Sequence, residues 1–231
     1  MTSRDSVLSC KSISKYYTKG KDVVKALNNI NLEITRGEIS SVVGPSGSGK
    51  STLLYVLSGL TPPSEGSIFI NELSLSKMQQ SQRAAFIRDN IGFVFQDWQL
   101  LASLNAYENV LLPLMLKGAR SITSEMKEEV LKYFEMFQLL DRTHHYPSEL
   151  SGGEQQRIAI IRALIKKPSI VFFDEPTGSL DAAAADILTS SIHKAIHQEK
   201  CTFIIVSHDS KMLSISNHSY RIEYGKLKQL F

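Results

Sequence analysis

Apolar and polar residues alternate at Ile30, Leu32 and Ile34, the pattern of a half-buried strand, and residues 7–13 read as its partner, so an antiparallel flap opens the chain. Shorter strand-like runs follow at 38–43, 66–70 and 91–95. Residues 170–173 (Ile-Val-Phe-Phe) and 203–206 (Phe-Ile-Ile-Val) are continuously apolar, as strands covered on both faces must be. Between these runs the spacing becomes helical: 50–57, stopped at Ser58 and Gly59; 80–88; 106–115; 124–137, with Met126, Val130, Phe134 and Phe137 on one face; and 158–165, ended by Lys166, Lys167 and Pro168. A further helix carries Leu188, Ile192, Ala195 and Ile196 on one face. Strands interleaved with helices predict an α/β core, and residues 100–147, helical only, read as an inserted helical subdomain.

At the turn between 38–43 and 50–57 stands Gly44-Pro45-Ser46-Gly47-Ser48-Gly49-Lys50-Ser51-Thr52. It fits G-x-x-x-x-G-K-[ST] in the strand-to-helix setting that makes the pattern a phosphate cradle. The three glycines are expected to let backbone N–H groups curl toward phosphate oxygens, where a Cβ would obstruct the approach. The helix that follows adds the positive end of its dipole. Lys50 would set a point charge between β- and γ-phosphates, and the Ser51 hydroxyl would hold Mg²⁺.

Polar residues end the other buried runs, where an open α/β sheet faces its ligand crevice. Gln96 follows 91–95, positioned to reach a metal or the attacking water; alone it would be polar surface. Asp174 and Glu175 end 170–173: one carboxylate suits Mg²⁺ through water, its neighbour a general base. His208, after 203–206, is placed to touch a γ-phosphate, or to serve a structural role. Ser151, Gly152 and Gly153 open the helix of 158–165, as an anion site or an ordinary N-cap. Tyr16 and Tyr17, just after the first strand, offer a ring for adenine or for packing.

Hydrophobic residues make up 42% of the 231, enough for a buried core without staples. With 26 basic and 23 acidic residues the net charge is +3, and no dense basic run appears, so nucleic acid is not an expected partner. Cys10 and Cys201 lack metal or redox spacing and read as idle thiols, compatible with a reducing cytoplasm. No run is long enough to span a bilayer, and no signal-type segment opens the chain.

These motifs, in this order, resemble an ABC-type ATP-binding subunit along the whole chain: Walker A at 44–52, the Q-loop at Gln96, the signature Leu150-Ser151-Gly152-Gly153-Glu154-Gln155-Gln156, Walker B at 170–175, the D-loop at Ser179-Leu180-Asp181 and the switch histidine at His208. Tyr17 best matches the family's adenine-stacking aromatic, with Tyr16 the neighbouring alternative. The resemblance implies one ATP-binding domain over 1–231, a P-loop, RecA-like core with the β flap (1–96 and 151–231) and a helical subdomain (97–150). It implies Mg²⁺ and ATP held by Tyr17, Gly44, Pro45, Ser46, Gly47, Ser48, Gly49, Lys50, Ser51, Thr52, Gln96 and Asp174. Ser51, Gln96 and Asp174 are the expected metal ligands. Hydrolysis is expected to run through Glu175 as general base with Lys50, Gln96 and His208. It further implies a homodimer in which Ser151, Gly152 and Gly153 of one copy close the site of the other, and integral membrane permease subunits as partners at the cytoplasmic face of the inner membrane. Departures are small: Ser207 where Thr is frequent, and Ile161 where Ala is common.

A narrower resemblance is to the lipoprotein-release (LolD-like) and macrolide-exporter (MacB-like) group. It is carried by Phe95-Gln96-Asp97 with Leu100-Leu101, by Glu108-Asn109-Val110-Leu111-Leu112-Pro113, and by Tyr146-Pro147-Ser148 ahead of the signature. Cell-division (FtsE-like) and peptide-resistance (BceA-like) ATPases share these segments. An extrusion motor, most of all for lipoproteins, and a regulatory mechanotransducer are both compatible with them. A soluble repair or translation ATPase fits less well, since the chain has neither a long coiled coil nor a second cassette.

Overall fold

The alternation at Ile30, Leu32 and Ile34 is realised in a long strand, β2 (Asp22–Thr35), which buries those three side chains and pairs antiparallel with β1 (Ser6–Lys19). β1 runs further than its apolar pattern. Register shifts around Ile13, with Ser12 at φ 52°, break the alternation yet keep the ladder going, so Tyr16 and Tyr17 lie inside β1 rather than after it. β4 (Glu65–Ile70) and β5 (Leu73–Ser74), numbered in chain order, complete a four-stranded sheet in the order β2-β1-β4-β5.

The computed structural model describes residues 5–20, 22–118, 122–175, 189, 190, 192, 201–207 and 211–231. The expectations for Ser179, Leu180 and Asp181, for most of the helix around Leu188 and for His208 lie outside the described residues.

A second sheet has the order β10-β9-β3-β8-β7-β6. β3 (Ile39–Val43), β8 (Thr202–Ser207), β7 (Ile170–Asp174) and β6 (Ile91–Val94) are mutually parallel, β9 (His218–Glu223) is parallel to β3, and β10 (Lys226–Gln229) turns back along β9. β7 and β8 are buried along their whole length, which their continuous apolar runs require.

Their side chains divide by the period of two. Phe172, Ile204 and Val206 join a core with the first sheet and α1 (Lys50–Leu57). Val171, Phe173, Phe203 and Ile205 face the opposite way, into a core with α3 (Ala106–Leu116), α4 (Ser124–Met136) and α5 (Gly152–Leu164). Burying each such side chain contributes roughly 1.5–3 kcal/mol. A solvent-screened ion pair such as Arg88–Asp89 is minor beside that. The expected apolar face of α4 is present: Val130, Phe134 and Phe137 are fully buried. α2 (Gln80–Asn90) buries no residue and packs beside β6.

Parallel strands end on the same side, so the C-terminal ends of β3, β6, β7 and β8 share one edge. The loop after β6 is tied down by Asn109 on α3. Its fully buried amide accepts from Leu101 N (2.8 Å) and donates to the carbonyls of Leu101, Leu104 and Asn105.

Candidate active site

The loop from β3 enters α1 through Gly49, an N-cap at φ 105° whose lack of a side chain leaves the first helical N–H groups without a side-chain cap. Two of the glycines are needed for a reason the sequence did not suggest. A Cβ on Gly44 would lie 2.3 Å from Ile222 O, and one on Gly49 2.6 Å from Ala26 O, so both make room for neighbouring backbone rather than for a ligand. Gly47 alone, at φ 74°, has open space where its Cβ would be. Ser48 Oγ is buried with no hydrogen-bond partner among the described residues.

Above this loop lies a cleft of about 960 Å³. It is lined by residues 46–52 and by Tyr17, Gln96 and Glu175, and also by Tyr224. Lys50 Nζ donates to the carbonyls of Gly44 (2.9 Å) and Pro45 (3.0 Å) and stands 3.8 Å from Glu175 Oε1. The ammonium is thus held at the cleft by backbone, with one carboxylate beside it. Tyr17 is 43% exposed and faces the cleft. Tyr16, its neighbour on the other face of β1, donates its hydroxyl to Glu65 (3.0 Å) and receives Lys25 Nζ over its ring. The two tyrosines are thereby distinguished by position.

Asp174, 2% exposed, is the terminus of β7. Ser51 Oγ donates to Asp174 Oδ1 and Tyr55 Oη to Asp174 Oδ2, each over 3.0 Å. Ser51 and Tyr55 are one helical turn apart on α1, so one face of that helix addresses both carboxylate oxygens. Burial raises the Asp174 pKa above the usual carboxylate range; the two hydrogen bonds oppose that, the Glu175 charge adds to it and Lys50 counters it. Burial, with Asp174 second, pushes the Tyr55 hydroxyl up to about 12, so it stays a donor. Sequence analysis missed Tyr55, although its i, i+4 spacing from Ser51 was a usable signal. Glu175 leaves the strand at φ 56°, and its N–H continues the ladder to Val206 O (2.9 Å). A left-handed non-glycine residue is costly, and such residues gather at functional sites.

Ser151, Gly152 and Gly153 do not line this cleft among the described residues. Ser151 caps α5 in a reciprocal box with Glu154: its hydroxyl accepts from Glu154 N (3.3 Å) while Glu154 Oε2 accepts from Ser151 N (2.8 Å). Burial tends to raise the Glu154 pKa, but hydrogen bonds from Arg142 (2.7 Å) and Ser151 outweigh it and hold the carboxyl at about 2. Gly152 is packed under the indole of Trp98. Trp98 and Gln99, at φ 57° and 45°, form a strained turn just after Gln96, and Arg162 of α5 donates to both of their carbonyls, over 2.6 and 2.7 Å.

Among the described residues no group of three histidine, cysteine or carboxylate side chains is placed to hold a metal. A hydroxyl and a single carboxylate, as at Ser51 and Asp174, instead suit a cation that keeps most of its waters. Cys10 and Cys201 are buried and free, and burial pushes the Cys10 thiol up to about 12. No helix among the described residues is long and apolar enough to cross a membrane.

A family model described as ABC transporter matches residues 27–178. The lipoprotein-releasing system ATP-binding protein LolD of Saccharophagus degradans is 39% identical over 223 residues, covering 96% of this chain and 97% of that protein. The ABC transporter ATP-binding protein YtrE of Bacillus subtilis is 42% identical over 211 residues, covering 91% and 90%. Among solved structures, a dimeric post-hydrolysis state of the ATP-binding cassette MJ0796, from Methanocaldococcus jannaschii, bound to ADP and Pi superposes with a TM-score of 0.90 at 34% identity, over 97% of this chain and 99% of that one.

Proposed function

Because the chain belongs to the ABC transporter family, as an ATP-binding subunit that hydrolyses ATP, we propose that it is the motor of a membrane complex releasing lipoproteins from the inner membrane. The observation that carries the motor assignment is the meeting of two carboxylates with the phosphate loop: Asp174 is hydrogen-bonded to Ser51, and Glu175 stands beside Lys50.

In this proposal the triphosphate lies along residues 46–52, with Lys50 neutralising its terminal charge. Ser51, Asp174 and Gln96 hold Mg²⁺, which when bound draws charge from the phosphate oxygens. Tyr17 stacks on the base. Glu175 takes the proton of the attacking water, and its rigid left-handed backbone aims the carboxylate into the cleft. His208 is assigned contact with the γ-phosphate. Ser151, Gly152 and Gly153, turned away from their own cleft, close that of a second copy; the dimeric form of the similar MJ0796 cassette supports this. The domain is assigned over 1–231, with 97–150 as its helical part, and permease subunits supply the membrane-spanning portion.

Lipoprotein release is favoured by the end-to-end likeness to LolD. The likeness to YtrE, named only as an ABC transporter ATP-binding protein, specifies no cargo, so the second reading is an exporter or resistance ATPase of other cargo or a regulatory mechanotransducer. Affinity purification from gently solubilised membranes, with mass spectrometry of what co-purifies, separates them. A permease with a large external domain and bound lipoprotein supports release; a permease that brings no lipoprotein, a permease with cell-wall hydrolase regulators, or no membrane protein, overturns it.

A further inference from the structure

The cleft has an aromatic wall that neither the phosphate loop nor Tyr17 explains. Tyr224 occupies the turn between β9 and β10 at φ 48°, followed by Gly225 at φ 71°. Two consecutive left-handed residues form a hairpin turn that favours Asn-Gly, and on backbone grounds alone a tyrosine is a poor choice for the first of them. Tyr224 is 93% exposed and borders both the cleft that Tyr17 and Ser48 line and a depression of its own hairpin, beside Arg221 and Lys226.

The mount is rigid. Gly225 N donates to Ser48 O (3.2 Å) in the phosphate loop, and Gly225 O accepts from Asn28 N (2.8 Å) at β2. A Cβ on Gly225 would lie 2.7 Å from Ala26 O, so the turn is seated directly on β2. A strained, exposed aromatic at the rim of a ligand cleft contributes nothing to the core, and a ligand that fills the cleft would give it a partner.

β2 also gives the order of parts along the cleft. Tyr17 is paired across from Val24, whereas both Gly49 of the cradle and the Tyr224 turn abut Ala26. Two strand residues span about 7 Å, roughly the separation of a base from its phosphates. We propose that Tyr224, whose turn stands at the cradle end of this span, packs its ring against the ribose of the bound nucleotide. This rests on the nucleotide assignment of the cleft.

The test compares ATP, GTP and inorganic tripolyphosphate by isothermal titration calorimetry of the full chain, without divalent cation so that nothing is hydrolysed. Tyr224→Asn removes the ring but suits the left-handed turn, so folding is preserved; Tyr224→Phe keeps the ring. The expected result is a roughly fivefold weaker Kd for ATP and GTP alike in the Asn variant. Tripolyphosphate should change less than twofold, and the Phe variant should match the wild type. Unchanged ATP affinity in the Asn variant overturns the proposal. Equal weakening of tripolyphosphate also overturns it, assigning Tyr224 to support of the Ser48 loop, and loss confined to ATP would make the contact one to the base. If wild type binds ATP no better than Lys50→Ala, the nucleotide assignment itself falls, and Tyr224 with it.

Discussion

Gly152, the first residue of α5, lies so close under Trp98 that a methyl group there would come within 2.9 Å of the indole Cη2. The loop that follows Gln96 and the helix that follows Ser151 therefore rest on one another. Arg162, further along α5, fastens the same loop by two carbonyls. Gly152→Ala should push Trp98 outward at a cost of about 1–3 kcal/mol, as overpacked sites do. Since Trp98 is the sole tryptophan, its emission reports the displacement directly. We expect a red-shifted spectrum and a several-fold lower ATP turnover. Adding Trp98→Leu should restore much of the turnover. Failure of that rescue would mean that Gly152 acts through ligand contact rather than through the indole.

Tyr55 is predicted to position Asp174 without touching the nucleotide. Tyr55→Phe removes a charge-assisted donor worth about 1.5–3 kcal/mol to a buried carboxylate. With Ser51 still attached, Asp174 should swing rather than collapse, lowering kcat by about three- to tenfold with KM for ATP little changed. Raised Mg²⁺ should recover part of the loss. An equal rise in KM, or indifference to Mg²⁺, would point to simple damage to α1.

How much of this was legible follows from which interactions are periodic. The continuous runs ending at Phe173 and Val206 announced doubly covered strands, and the polar residues after them announced the crevice edge. The helical face of Val130, Phe134 and Phe137 was equally open to inspection. Three kinds of feature were hidden. β1 passes through bulges near Ser12, so its pattern stops before the strand does, and Tyr16 and Tyr17 were placed beyond it. β9 and β10 are short and mostly polar at the edge of the sheet, and the alternation of Tyr220 and Ile222 with Arg221 and Glu223 is too brief to stand out. Links such as Trp98 to Gly152 or Tyr224 to the cleft join distant segments, and only the folded chain brings them together.

Glu154 carries a pH signature. Its carboxyl titrates near 2 in the folded chain against 4.5 unperturbed, so its stabilisation is complete above about pH 4.5 and is lost as pH falls toward 2. Its partner Arg142 is well exposed, which limits the gain to below about 1 kcal/mol. Urea unfolding of Glu154→Gln should show the variant less stable than wild type at pH 6, with the gap closing as pH drops below 4.5. A gap constant across that range would remove the ion pair and the capping charge as its cause.

Glu175→Gln tests the proposed base apart from its surroundings. The amide keeps the size of the side chain and can still be reached by a water, but it cannot accept the water's proton. Lys50 Nζ, 3.8 Å from Glu175, keeps the carbonyls of Gly44 and Pro45, so the substitution does not strand a buried charge. Thermal stability should accordingly move by only a few degrees, since about 1 kcal/mol corresponds to roughly 2–4 °C at this size. Turnover should fall by about 10²–10⁴ while ATP affinity is retained. With cleavage blocked, ATP should hold two copies together, visible as a dimer on size-exclusion chromatography with ATP and not with ADP. Wild-type turnover in the variant would remove Glu175 as the base. Loss of ATP binding together with turnover would instead locate its role in the charge pair with Lys50.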